Sequence, residues 1–253
     1  MPVLADLNEC EGMLGDREVH VWHANLRMPP DQLDSLYRFL DQEERDRASR
    51  FRVRAPREEF VASHAFVRLA LGKYLQLDPG DVRFQITENG KPELTGSKMR
   101  FNLSHSDGTA VLAIARNRAV GVDVERIRED TEAMELAERF FSAAEVDWLR
   151  SQPPSERIAW FFTCWTAKEA YIKACGTGLS MPLARFSVIP DAGNRKFQLE
   201  IVDAPHASEN WSIWPLDLEA GLRGALAVQD GNAELMVRLG KWQWPRITVQ
   251  KLS

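Results

Sequence analysis

The strongest constraint on the fold is the stretch at 165–173, which reads WTAKEAYIK. Ala, Lys and Glu favour helix, and no Gly or Pro interrupts until Gly176, so we predict a helix over about 155–174. Trp165, Glu169 and Lys173 are spaced four apart and therefore stack along one face. Taken alone, this pattern indicates an exposed Glu–Lys pair above a core tryptophan. Other segments of the chain supply acidic and phosphate-binding side chains that give this helix a candidate functional role.

Composition limits the classes of protein to consider. The chain has 253 residues, 44% hydrophobic and 27% charged, which is typical of a globular protein with a sizeable core. No basic start precedes an apolar run, and no apolar stretch approaches membrane-spanning length, so we expect neither a signal peptide nor a membrane partner. The three cysteines have no metal-ligand spacing, which predicts free thiols and a cytoplasmic location. A net charge of −5 argues against nucleic acid as a partner.

A cluster of arginines stands out in this acidic chain. Six lie within thirteen residues: Arg45, Arg47, Arg50, Arg52, Arg54 and Arg57. Guanidinium groups bind phosphate well, so the cluster is a candidate phosphate site. A solvated helix face next to Glu43 and Glu44 accounts for it equally well.

Hydrophobic periodicity predicts an α+β protein. Helices are expected over 31–40, 41–51, 56–75, 132–141, 143–149 and 155–174, and strands over 19–24, 82–87, 99–103, 110–115, 120–124, 186–189, 197–202, 211–214, 224–228 and 233–239. Each half has a long helix, a loop and a strand that opens Arg-Phe, at 83–84 and at 185–186. This echo suggests two related α+β halves, 1–118 and 119–253.

Two acids on one strand are the first candidate site. Asp123 and Glu125 are two residues apart in the run GVDVE, so a strand turns both carboxylates to one face and Val122 and Val124 to the other. Adjacent carboxylates repel each other unless a cation lies between them, and Mg²⁺ suits such a pair. A half-exposed strand with its acids in water is the alternative.

Two further segments supply phosphate-binding groups. Ser104 and His105 are expected in a loop between strands, where a hydroxyl and an imidazole can donate to a phosphate. Gly90 and Lys91 put an ammonium on a tight turn. Each is unremarkable alone. Together with the acids and the arginines they fit Mg²⁺-assisted transfer of a phosphate-linked group.

The ordered motifs resemble those of the surfactin-synthetase-type 4'-phosphopantetheinyl transferases. The matching segments are 90–92 (GKP), 101–106 (FNLSHS), 121–125 (GVDVE), 140–142 (FFS), 165–173 (WTAKEAYIK) and 176–180 (GTGLS). The resemblance spans roughly residues 40 to 190. It implies a monomeric pseudo-dimer of two α+β halves, with coenzyme A and Mg²⁺ in the cleft between them.

The resemblance also implies roles for individual residues. Asp123, Glu125 and Glu169 would hold Mg²⁺ against the coenzyme A pyrophosphate. The nucleotide and its phosphates would be contacted by Gly90, Lys91, Ser104, His105 and Arg47. Glu169 would act as general base on a serine hydroxyl, and Lys173 would steady the pyrophosphate and assist departure of 3',5'-ADP. Glu44 and Glu59 stand where part of the family has basic residues, which leaves open the arginine of 45–57 that grips the 3'-phosphate.

The second substrate implied is an acyl- or peptidyl-carrier protein of fatty acid, polyketide or nonribosomal peptide biosynthesis. Such carriers are acidic, so we expect a basic docking face at Arg126, Arg128 and Arg139, beside the apolar side chains Met134, Leu136 and Phe140. An ordinary amphipathic helix is the alternative for that segment. Two other functions stay open: a degenerate coenzyme A-binding protein, and a different Mg²⁺-dependent phosphotransferase. The sequence does not distinguish among carriers, or between Mg²⁺ and Mn²⁺.

Overall fold

The computed structural model describes residues 14–178, 181–231 and 233–245. Its helices are α1 (Pro30–Leu36), α2 (Gln42–Ser49), α3 (Arg54–Leu75), α4 (Ala133–Phe140), α5 (Ala143–Ser151) and α6 (Arg157–Cys175). Its strands are β1 (Glu18–Asn25), β2 (Phe84–Ile86), β3 (Pro92–Leu94), β4 (Met99–Ser106), β5 (Thr109–Arg116), β6 (Val120–Arg126), β7 (Phe186–Pro190), β8 (Phe197–Ile201), β9 (Trp211–Pro215), β10 (Leu222–Gln229) and β11 (Met236–Lys241).

Two sheets organise the chain, and they confirm the predicted α+β class. The first has the order β11-β1-β5-β4, and the second has the order β6-β10-β9-β8-β7. Neighbouring strands are antiparallel, except that β11 runs parallel to β1. Strands β2 and β3 form a separate hairpin. None of the described helices has the length and apolar character that crossing a bilayer requires.

Each sheet carries one long helix, and the two sheets share a core. Strand β5 alternates, so that Leu112 and Ile114 pack toward α3 while Val111 and Ala113 pack toward β6. Helix α6 lies against β6 and β10. The approach is so close that a Cβ on Gly121 would lie 2.1 Å from the carbonyl oxygen of Ala170. Only glycine fits at this point of β6.

The two halves repeat the same order of elements. A first strand (β1 or β6), three helices, a hairpin (β2–β3 or β7–β8) and a strand pair (β4–β5 or β9–β10) follow one another in each half. In each, the first strand pairs with the last, β1 with β5 and β6 with β10. The hint of duplication in the sequence is therefore confirmed by topology.

A buried ion pair recurs at equivalent positions. Arg68 Nε on α3 lies 2.6 Å from Glu44 Oε2, and Lys168 Nζ on α6 lies 2.7 Å from both carboxylate oxygens of Glu145. Each glutamate is also the third residue of a helix closed by a capping box, with Asp41 or Ser142 as N-cap. In each half, the glutamate carboxylate therefore accepts the backbone N–H of the N-cap residue and also pairs with a buried cation.

The two Arg-Phe dipeptides belong to the same repeated unit. The guanidinium of Arg68 lies 5.0 Å from the ring centre of Phe84, and the ammonium of Lys168 lies 4.2 Å from that of Phe186. Each cation also donates to a backbone oxygen beside that strand, Arg68 to Val82 and Lys168 to Phe186. The weak sequence echo reflects a repeated packing arrangement.

Three expectations differ from the structure at element ends. Residues 104–106 lie in β4 rather than in a loop, because Asp107 and Gly108 (φ 47° and 78°) close a two-residue hairpin that keeps them paired. Helix α1 begins at Pro30 and ends at Leu36, short of residue 40. Asp31 is a favoured N-cap residue type at the start of the predicted helix, but it lies in the first turn of α1 and the N-cap is Pro29.

The C-terminal segment differs as well. Strand β11 lies in the first sheet although it comes from the predicted second half, and the division 1–118 and 119–253 stays a prediction. The alternation of aromatic and polar residues over 241–245 (KWQWP) predicts an edge strand, but β11 ends at Lys241 and residues 242–245 are not a strand. Trp242 is buried, and its ring lies 5.6 Å from that of Trp22 and 5.3 Å from that of Phe66.

Candidate active site

The two halves meet where β4 runs beside β6. Every second side chain of β4 accepts a backbone N–H of β6: Asn102 from Val122 (2.8 Å), Ser104 from Val124 (3.4 Å) and Ser106 from Arg126 (3.2 Å). Side-chain oxygens of β4 therefore accept the backbone N–H groups along the edge of β6 that faces β4. The roles of Asn102 and Ser106 are not anticipated from the motif, although the spacing of two among polar residues in FNLSHS is the signal.

Asp123 is the centre of a hydrogen-bonded group. Its Oδ1 accepts the Ser104 hydroxyl at 2.8 Å and the Lys173 ammonium at 2.6 Å, and Nζ of Lys173 also lies 3.0 Å from Ser104 Oγ. The group draws one residue each from β4, β6 and α6. Lys173 thus pairs with the strand rather than with Glu169 on its own helix.

The other two acids belong to the same electrostatic neighbourhood. Burial raises the pKa of Asp123, and the charge of Lys173 opposes that rise. Burial also raises the pKa of Glu169, and the charges of Asp123 and Glu125 raise it further. The pKa of Glu125 is raised by burial and by Asp123, while a hydrogen bond from Ser106 (2.8 Å) lowers it. The acids of β6 and α6 destabilise one another's charged forms.

The donor set fits a divalent cation that keeps open positions. Oδ2 of Asp123 is buried and has no hydrogen-bond partner among the described residues, so one carboxylate oxygen is left for another ligand. In the part of the chain that the structure describes, no three His, Cys, Asp or Glu side chains already form a metal-binding group. Mg²⁺ does not need one, because it commonly takes one or two carboxylates and completes its shell with phosphate and water.

A second group of predicted residues lies on the other face of β4. His105 follows Ser104 on the strand and so points away from Asp123. Its Nδ1 lies 3.4 Å from Oε1 of Glu59 on α3, and that oxygen also accepts the N–H of Gly108 at 3.1 Å. In the sequence, Glu59 is only a departure from the family pattern. The structure makes it the neighbour of His105.

Arg47 lies near this second group. Its guanidinium lies 5.1 Å from the ring centre of Phe60, which in turn stacks on His64 with ring centres 3.8 Å apart. Burial, assisted by the charges of Arg47 and His105, lowers the pKa of His64 to about 4. Three basic side chains therefore share one neighbourhood in which His64 is held neutral.

The remaining arginines of the cluster divide into two sets. Arg45 donates to the carbonyl of Tyr37, Arg54 pairs with Glu58 at 2.6 Å, and Arg57 lies over the Tyr37 ring. All six arginines of the cluster are exposed, and the side chains of Arg50 and Arg52 make no hydrogen bond or ion pair with the described residues. Arg47 and His105 both act on His64, and the 3'-phosphate contact of this cluster stays a prediction.

Lys91 occupies a position that its motif does not indicate. Its ammonium donates to the carbonyl oxygens of Lys173 (2.6 Å), Val120 (3.1 Å) and Ala174 (3.3 Å). The predicted contact of Lys91 with the nucleotide stays a prediction. Gly90 (φ 81°) forms the tip of the turn, and open space surrounds the position of its absent Cβ.

The predicted docking arginines have different surroundings. Arg126 Nε lies 3.1 Å from Oδ2 of Asp107, which also pairs with Arg27. Arg139 lies over the ring of its neighbour Phe140. Arg128 is exposed, and its charge lowers the pKa of Glu125.

Comparisons with known proteins decide the family. A model described as the 4'-phosphopantetheinyl transferase superfamily matches residues 119–227, and one described as 4'-phosphopantetheinyl transferase, N-terminal, matches residues 27–117. The chain is 40% identical over 167 residues to the 4'-phosphopantetheinyl transferase HetI of Nostoc sp., covering 64% of this chain and 70% of that protein. The chain belongs to the 4'-phosphopantetheinyl transferase family.

Two further relatives specify the branch of that family. A 4'-phosphopantetheinyl transferase of Bacillus subtilis is 32% identical over 168 residues, which are 66% of this chain and 74% of that protein. The enzyme named Sfp, from Bacillus subtilis strain 168, is 34% identical over 151 residues, with 59% and 66% covered. The chain is an Sfp-type transferase.

Proposed function

We propose that this phosphopantetheinyl transferase moves the 4'-phosphopantetheine arm of coenzyme A to a serine hydroxyl of an acyl- or peptidyl-carrier protein and releases 3',5'-ADP. The observation that carries the proposal is the group formed by Ser104, Asp123 and Lys173, with one oxygen of Asp123 unpartnered. It joins three elements at the junction of the halves. We further propose that the protein acts as a monomer in the cytoplasm.

Asp123, Glu125 and Glu169 are the proposed ligands of Mg²⁺, which when bound would neutralise charge on the pyrophosphate. Burial raises the pKa of all three carboxyl groups, and the charge of Asp123 raises those of Glu125 and Glu169 further. A divalent cation would stabilise the charged forms, which supports this assignment. Asp123 Oδ2 is the oxygen best placed to bind the metal, because it is buried and has no hydrogen bond among the described residues.

Glu169 and Lys173 are the proposed catalytic residues on α6. The raised pKa of Glu169 makes it a stronger base than an ordinary glutamate, so it can accept the proton of the attacking serine hydroxyl. Lys173 Nζ, held by Asp123 and Ser104, is available to the pyrophosphate oxygens on which charge develops as 3',5'-ADP departs.

Arg47, Ser104 and His105 are the proposed nucleotide contacts. Ser104 lies on the face of β4 that meets Asp123 of β6, and His105 lies on the opposite face, where it shares the neighbourhood of His64 with Arg47. A ligand that carries both a pyrophosphate and a separate 3'-phosphate suits two such groups. Gly90 and Lys91 stay predicted nucleotide contacts. Because the Lys91 ammonium already has three acceptors, we propose that the backbone of their turn makes the contact.

The proposed carrier surface includes Arg128, which is exposed beside the acids of β6. Arg126 and Arg139 flank it in sequence, and Met134, Leu136 and Phe140 are half-buried against the helical core of the second half. A basic surface next to the acids would attract an acidic carrier and bring its serine to Glu169.

A direct assay tests the proposal. Apo-carrier protein is incubated with coenzyme A, Mg²⁺ and the enzyme, and the carrier is then weighed by mass spectrometry. We expect the addition of one phosphopantetheine group, and none after the metal is chelated. An unmodified carrier together with tight coenzyme A binding would instead indicate a degenerate binding protein. Transfer of a different phosphate-linked group would indicate another phosphotransferase.

A further inference from the structure

The turn between β2 and β3 closes the end of α6, although the two belong to different halves. The last carbonyl groups of a helix have no partner within it. Here the carbonyl oxygens of Lys173 and Ala174 accept the Lys91 ammonium at 2.6 and 3.3 Å, and the oxygen of Gly176 accepts Asn89 Nδ2 at 2.8 Å. We call Asn89 and Lys91, with these acceptors, the α6 clasp.

The clasp also reaches the strand that carries the acids. The third acceptor of Lys91 is the carbonyl oxygen of Val120 at 3.1 Å, on β6 three residues before Asp123. An ammonium group has three N–H donors, and each has an acceptor here. A positive charge at the end of a helix is favourable because the helix dipole is negative there. Burial lowers the pKa of Lys91, as expected for an ammonium enclosed by backbone.

We infer that Lys91 is a positioning residue, which sets α6 against β6 and thereby sets Lys173 and Glu169 relative to Asp123. Lys173 is held at both ends, its ammonium by Asp123 and its carbonyl by Lys91. Without Lys91, the carbonyl oxygens of Val120, Lys173 and Ala174 would each lose a hydrogen-bond donor, and the last turn of α6 would loosen. The inference rests on the proposed function, because it takes Glu169 and Lys173 as the catalytic residues.

Lys91→Met tests this inference, with Lys98→Met as the matched control. Lys98 is an exposed lysine of the same half, so its replacement removes the same charge without touching the clasp. Three quantities are measured: kcat at saturating coenzyme A, the Kd for coenzyme A by calorimetry, and the melting temperature. We expect Lys91→Met to lower kcat about tenfold or more, because misplaced catalytic groups act slowly, while the Kd changes by less than about threefold. Lys98→Met leaves all three unchanged.

Other outcomes overturn the inference. A Kd raised about tenfold with kcat intact would make the Lys91 side chain a nucleotide contact. A lower melting temperature with kcat and Kd unchanged would show that the clasp stabilises the fold but does not position the catalytic residues. If Lys91→Met does not fold, Asn89→Ala removes the other bond of the clasp. We expect a smaller loss of kcat for Asn89→Ala, and an unchanged kcat would reject the inference.

Hydrogen exchange separates this inference from the proposed function. An inactive parent enzyme would reject the function but would leave the clasp to be judged on its own. In that case Lys91→Met is expected to speed amide exchange in the last turn of α6 and not in α3. Unchanged exchange in that turn would reject the clasp whatever the activity.

Discussion

Lys173 Nζ lies 2.6 Å from Oδ1 of Asp123, and this ion pair joins α6 to β6 across the base of the proposed site. The side chain of Asp123 is 5% exposed and that of Lys173 is 30% exposed, so the lysine is the partner that a ligand can reach. The pair leaves Asp123 with one unpartnered oxygen among the described residues and puts a positive charge beside Ser104. The unpartnered oxygen can bind a divalent cation, and the ammonium of Lys173 can bind an anion.

Glu169→Gln is expected to lose most transferase activity while the fold stays intact. The amide cannot accept the serine proton, and a general base contributes about 10²- to 10⁴-fold to rate. Carrier modification followed by mass spectrometry measures the loss, and circular dichroism checks the fold. Glu200→Gln is the control, since Glu200 is exposed on β8. If pure Glu169→Gln modified the carrier at the parent rate, Glu169 would have no catalytic role.

The stability gained from Mg²⁺ is expected to depend on pH. The pKa values of Glu125 and Glu169 are raised, so the folded protein holds these protons more tightly than the unfolded chain does. Ionisation therefore costs stability in the metal-free protein at any pH above the raised values, and this cost disappears as the pH falls through them. Mg²⁺ offsets the cost only while the carboxyl groups are charged.

We therefore expect Mg²⁺ at about 100 times its Kd to raise the melting temperature by about 5 °C at neutral pH. The increment should shrink as the pH falls through the raised pKa values of Glu125 and Glu169 and the carboxyl groups take up protons. Differential scanning calorimetry across this range measures it. Asp123→Asn should remove most of the increment, and an increment independent of pH would contradict the assignment of the acids as ligands.

Gly121→Ala is expected to destabilise the protein by about 3 kcal/mol, because overpacking a tight contact forces the backbone apart. The added Cβ would lie 2.1 Å from the Ala170 carbonyl oxygen and 2.4 Å from the Ala174 nitrogen. Urea denaturation measures the free energy of unfolding. Gly80→Ala is the control, since a Cβ there meets no atom within 4 Å. Equal stability of the two variants would show that α6 and β6 can separate without cost.

Arg128→Glu is expected to slow carrier modification more at low salt than at high salt. Exposed charges steer an acidic partner over a distance that salt shortens, to a Debye length of about 8 Å at physiological ionic strength. The measured quantity is kcat/KM for the carrier as a function of salt. Arg195→Glu, an exposed site in the β7–β8 turn, is the control. A salt profile that matches the control would exclude Arg128 from the docking surface.

Local pattern was enough for much of the fold. Alternation of apolar and polar residues predicted β6 with Asp123 and Glu125 on one face, and the Ala- and Glu-rich run predicted α6 and its end at Gly176. Serine is a common N-cap residue, and Ser142 directly before α5 fills that role by accepting the N–H of Glu145. These features depend on residues close in sequence, so the chain alone determines them.

The partners of the polar side chains needed the tertiary structure. The spacing of Glu169 and Lys173 suggested a pair on one helix, yet the ammonium reaches Asp123, fifty residues away in sequence. Glu59 was noted only as a departure from the family pattern, and it lies beside His105. Such contacts depend on how the halves pack, which local periodicity does not encode.

By itself the sequence determined which elements form, which faces are apolar, and which family the motifs resemble, because those follow from the order and spacing of neighbouring residues. Only the tertiary structure decided that β4 meets β6 through alternate side chains and that Lys91 of the first half closes α6 of the second. The physical reason is that a buried donor or acceptor must find a partner in three dimensions, and the nearest one in space is often far along the chain.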